Sequence, residues 1–73
     1  MTKQEFESFL QKELDNIRTE MFAEMSNPTN PQVLDSLNMR RDAVQRLLVD
    51  MPEDEEEIEK AYTGYQALKI LSF

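Results

Sequence analysis

Three prolines and one glycine are the only strong backbone punctuation in 73 residues, and they fall in few places. Pro28 and Pro31 share the short stretch Ser26-Asn27-Pro28-Thr29-Asn30-Pro31, while Pro52 stands alone. A proline interrupts a helix and biases the residue before it away from helical geometry. Between these points nothing stops a long helix, and the plentiful Leu, Met, Glu, Gln and Ala favour one. The expected fold is all-α: three helices over about 3–25, 31–50 and 53–71. A short first loop turns the second helix back on the first, so they form a small antiparallel bundle, one domain over 1–73.

The helix starts have their own signals. Thr2-Lys3-Gln4-Glu5 matches a capping box, and Asn30-Pro31 places a capping side chain before a proline suited to the first helical position. Asp50-Met51-Pro52-Glu53 is read as the third cap, with a Pro-kinked continuation of the second helix as the competing reading.

Apolar spacing then assigns faces. In the first helix Phe6, Leu10, Leu14, Ile17, Met21 and Met25 keep one side, with Glu13 and Glu20 at its edge. In the second, Leu34, Leu37, Arg41, Val44, Leu48 and Met51 follow at heptad steps, and Val33 and Leu47 widen the arc. The third offers Ile58, Ala61, Tyr62, Tyr65 and Leu68, with Gly64 beside them as a candidate for close helix approach. Phe22 lies off the first helix's face, and Ile70, Leu71 and Phe73 point in several directions. These four are expected at an interface between copies, because a chain this short buries a small fraction of its surface. There is no cysteine to supply disulfide support.

Arg40 and Arg41 interrupt the apolar arc of the second helix. An antiparallel hairpin sets Arg41 level with residue 15, within a turn of Glu13, and folding the third helix back brings Tyr62 to the same height. A central polar layer of Glu13, Arg41 and Tyr62 is the structural expectation. The functional alternative is a pocket in which Arg40 and Arg41, with Tyr62 or Tyr65 nearby, hold the phosphates of a nucleotide.

Other chemistry is thinly served. The chain has no histidine and no cysteine, so the usual nucleophile–base sets and the commonest transition-metal ligands are missing. One glycine makes no phosphate loop. No catalytic residue, metal or cofactor is expected. The run Glu53-Asp54-Glu55-Glu56-Glu57 reads first as the acidic opening turns of a helix, with a divalent cation site or a DNA-mimicking patch as its functional alternatives, and a DNA-mimic inhibitor ranks third among the functions expected of the chain.

Fifteen acids against eight bases give a net charge of −7, which disfavours nucleic acid and anionic membrane as partners. Acids and bases balance over 31–51, whereas acids dominate on both sides. The N-terminal residues lack a basic, then apolar, leader pattern, and no apolar run is long enough to span a bilayer. The resulting expectation is a cytoplasmic, non-enzymatic helical protein, an adaptor, regulator or inhibitor acting on a protein partner and associating with itself.

Overall fold

The computed structural model describes residues 1–71, and Phe73 of the expected interface lies outside them. Three helices follow in order: α1 Lys3–Ser26, α2 Pro31–Val49 and α3 Glu55–Leu71. The Thr2 hydroxyl accepts from the Glu5 N–H at 3.1 Å while the Glu5 carboxylate accepts from the Thr2 N–H at 2.9 Å, so the capping box is closed. The Asn30 side chain accepts from the Gln32 N–H at 3.0 Å and starts α2 with Pro31 in its first turn.

Glu24, which sequence reasoning passed over, staples the α1–α2 loop. Its carboxylate accepts from the Thr29 N–H at 2.7 Å, the Thr29 hydroxyl at 3.0 Å and the Asn30 N–H at 3.0 Å. Backbone N–H groups of Asn30 and Thr29, more than any charge, hold its carboxyl below the ordinary value of 4.5.

Pro52 separates two helices and does not kink one, but the cap differs from expectation. Asp50 closes α2, its N–H donating to the Arg46 carbonyl at 2.9 Å. Asp54, not the Asp50–Glu53 stretch, opens α3: its carboxylate accepts from Glu56 N–H at 3.2 Å and its carbonyl from Ile58 N–H at 2.9 Å. The chain uses the residues between Asp50 and Asp54 to reverse direction, so α3 begins two residues later than 53. Its first turn then carries Glu55, Glu56 and Glu57 at the positive end of the helix dipole.

The helices run up, down and up. The Met1 ammonium lies 3.3 Å from Glu59, and Lys3 lies 2.8 Å from Glu53, which sets the start of α3 beside the start of α1. The body measures 40 × 20 × 16 Å. At 1.5 Å per residue α1 is about 36 Å long and α3 about 26 Å, so the α1–α2 hairpin runs past the end of α3. The pairing of α1 with α2 is the most extensive, and α3 packs against both.

Phe6, Leu10, Leu14 and Ile17 of α1, Leu37 and Val44 of α2, and Ile58 and Tyr65 of α3 form the core. Half-buried Phe9 joins α1 to α3, with ring centroids 5.0 Å from Tyr62 and 5.9 Å from Tyr65, distances that favour tilted aromatic pairs. Met25, expected in the α1 face, is instead 67% exposed. At that end of the hairpin Met25 lines a groove with Pro28 and Pro31 of the loop and α2 start and with Leu34.

Gly64 marks no close approach: a Cβ built there meets nothing within 4 Å, and its φ is not positive. Gly64→Ala is therefore expected to stabilise the fold by about 0.8–1 kcal/mol, the helix-propensity difference between the two residues. The check is the urea midpoint at fixed protein concentration. A lowered midpoint would show that the position has a use the helix surface does not reveal.

Candidate functional site

The buried carboxylate of Glu13 gathers polar groups from all three helices. Glu13 sits on α1 between Phe9 and Ile17, on the flank that meets α3, and is 7% exposed. The Tyr65 hydroxyl donates to its Oε1 at 2.9 Å, and Lys69 Nζ lies 2.8 Å from the same oxygen. Tyr65 and Lys69 are one turn apart on α3, so both reach inward together. Arg40 approaches from α2, its terminal nitrogens 3.9 Å from Glu13 and 3.5 Å from Glu20. The Lys69 ammonium also lies 5.9 Å from the Tyr65 ring centroid, near the outer limit of cation–π attraction.

The electrostatics follow from this crowding. Burial pushes the Glu13 carboxyl up, but hydrogen bonds from Lys69 and Tyr65 and the charges of Lys69 and Arg40 outweigh it, and the group stays below the ordinary 4.5. Tyr65 moves the other way. Burial is the main cause of its rise from 10.0 to about 12, opposed by a hydrogen bond with Arg40 and reinforced by the Glu13 carboxylate.

The expected polar layer thus has the right acid, with different partners. Glu13 is joined by Arg40 and Tyr65, where Arg41 and Tyr62 were expected. Among the described residues no hydrogen bond, ion pair or ring contact links Arg41 or Tyr62 to Glu13. The reason is the width of the α2 contact surface. A heptad seam faces one partner, but α2 lies against both α1 and α3, and its buried side includes Ser36 as well as Leu37 and Val44. Arg40, one turn beyond Ser36, falls on that side. Arg41 is rotated by about 100° and falls on the outer flank. The two guanidinium groups therefore diverge. Among the described residues neither Nε atom, though sequestered, has a hydrogen-bond partner, and only Arg40 has acids at its terminal nitrogens.

Lys69 was not anticipated in the layer. Its signal in the sequence is the four-residue spacing from Tyr65, which fixes a shared face for the pair. Tyr62 packs on Phe9 as part of the apolar wall. Phe22, Ile70 and Leu71 of the expected interface are 74%, 82% and 85% exposed. The acids from Glu53 to Glu57 lie on the surface, with Glu53 bound to Lys3 and Glu56 lying 3.9 Å from Lys60. Among the described residues no group of three metal-ligating side chains converges, and no helix is long and apolar enough to cross a membrane.

No protein-family model, curated protein or solved structure matches the chain.

Proposed function

We propose that this chain is a helical interaction protein that acts by protein–protein contact and carries out no chemistry of its own. The observation behind this reading is its surface. Phe22, Ile70 and Leu71 stand 74–85% exposed on a body whose core is small, and Met25 and Met39 add 67% and 54%. Single exposed apolar residues are ordinary, and the reading is that these side chains meet a partner together.

The polar groups support the same reading. Glu13, the one buried carboxylate among the described residues, already accepts from Tyr65 and Lys69 and is held in its charged form, so it has little capacity to act as a proton-transfer base. Arg40 is committed to Glu13 and Glu20, which removes half of a two-arginine phosphate pocket.

The test compares affinity capture by the wild-type chain and by Phe22→Ser/Ile70→Ser/Leu71→Ser, with circular dichroism to confirm that the variant is folded. A partner held by the wild type and lost by the variant is the expected result. Identical captured sets, or a heat of nucleotide binding in a calorimetric titration, would overturn the reading.

A further inference from the structure

Leu34, Arg41 and Leu48 recur at seven-residue steps on α2 and are all half-buried, so they form one stripe along its flank, with Leu48 packed in part against the core. Arg41 is the anomaly in that stripe. Its Nε is sequestered without a hydrogen-bond partner, and among the described residues no acid lies within ion-pair distance of it. The adjacent Arg40, on the same helix, has two acids. A sequestered N–H left unmet works against the fold, so a lone chain keeps Arg41 at a disadvantage that an incoming anion relieves.

From this contrast, and resting on the interaction reading above, we infer that the Leu34–Arg41–Leu48 stripe docks a second copy of this chain, whose Glu55 or Glu57 supplies the carboxylate that Arg41 lacks. Charge complementarity names the occupant. The chain carries fifteen acids against eight bases, and α2 is the segment where the two balance. Glu55 and Glu57 are exposed at the start of α3 and have no partner among the described residues. An outward turn of the Arg41 side chain presents Nε and a terminal nitrogen as the planar fork that a carboxylate accepts with both oxygens. A two-fold pairing makes this contact twice, each copy giving one arginine and one acid. Leu34 and Leu48 add apolar contact on either side. Net repulsion between two acidic copies is largely screened beyond about 8 Å at physiological salt.

Sedimentation equilibrium and light scattering at about 1–200 µM protein and physiological salt test the inference. The wild type is expected to dimerise. Arg41→Met and Glu55→Gln/Glu57→Gln should each weaken association by about tenfold or more, the effect of ~1.4 kcal/mol. Arg41→Met should leave the urea midpoint of the dilute monomer unchanged or raised, since Arg41 makes no ion pair among the described residues. A wild type that is monomeric throughout overturns the inference and leaves the interaction reading intact, because a different protein then remains the partner. An unchanged association constant in either variant overturns it, as does a lowered monomer midpoint for Arg41→Met. Inorganic phosphate bound by a monomeric wild type and lost in Arg41→Met overturns it too, making Arg41 a small-anion site.

Discussion

Glu13→Ala is expected to destabilise the bundle by about 2–4 kcal/mol, between the ~0–1 kcal/mol of an exposed ion pair and the ~3–5 kcal/mol of breaking a fully buried one. The intermediate value follows from the partners. Glu13 is 7% exposed and Arg40 has an 11% exposed side chain, but that of Lys69 is 32% exposed and can turn to water. Removing the carboxylate also leaves the buried Tyr65 hydroxyl without its acceptor. For a domain of this size such a loss takes much of the total stability. Urea melts at neutral pH measure it, and a loss under about 0.5 kcal/mol would reject the three-helix linkage.

The partners can be separated by double-mutant cycles. Coupling between Glu13→Leu and Arg40→Met should reach roughly 1 kcal/mol, and coupling between Glu13→Leu and Arg41→Met should be near zero. The pH dependence has a definite sign. The folded-state value of Glu13 lies below the ordinary 4.5, so its contribution is present above that value and is lost as pH falls through the folded value. Glu5 and Glu24 are depressed by hydrogen bonds at the helix start and loop, and add to the same acid limb. Glu13→Gln should flatten part of that limb, and an unchanged slope would count against the assignment.

How much of this was legible in the residues depends on how local each signal is. Capping and turn chemistry act over three or four residues, so Thr2, Asn30, Pro31 and the Pro28 loop located α1 and α2 to within a residue or so. The hairpin register was also close: Arg41 was expected level with residue 15, and Arg40 in fact reaches both Glu13 and Glu20 on either side of that level. Rotation about the helix axis was not legible. Choosing Arg40 over Arg41 is a matter of about 100°, and the heptad template settles it for a helix with one neighbour. α2 has two, and Ser36 is buried where the template expects a polar, outward position. The same ambiguity exchanged Tyr62 for Tyr65. Glu24 escaped notice because its partners are backbone groups five and six residues on, which no periodicity marks. Asp54 displaced the expected cap because the length of a reversal depends on how α2 and α3 pack, which the capping pattern does not encode.

Tyr65 supplies the opposite limb of the pH profile. Its hydroxyl donates to Glu13 from a site only 3% exposed, and its pKa is raised from 10.0 to about 12, chiefly by burial. A phenol whose folded value exceeds its unfolded value binds its proton more firmly when folded. Its contribution is therefore complete below pH 10 and is lost as pH rises towards 12. The loss is on the order of 2 kcal/mol, because a tenfold difference in proton affinity is worth about 1.4 kcal/mol. The wild-type profile sums over every group of the chain, so Tyr65→Phe is the necessary comparison. At neutral pH that variant should be less stable by about 1.5–3 kcal/mol, the usual value of a hydrogen bond to a charged group. It has no phenol to ionise at this site, so its stability should fall less steeply from pH 10 to 12. The two curves should converge, because deprotonation deprives the wild type of the same hydroxyl donor that the variant lacks and adds a second negative charge beside Glu13. Denaturant melts at intervals across that range measure both slopes. Parallel curves would mean that the Tyr65 hydroxyl reaches water and that the Glu13 layer is open on the α3 side.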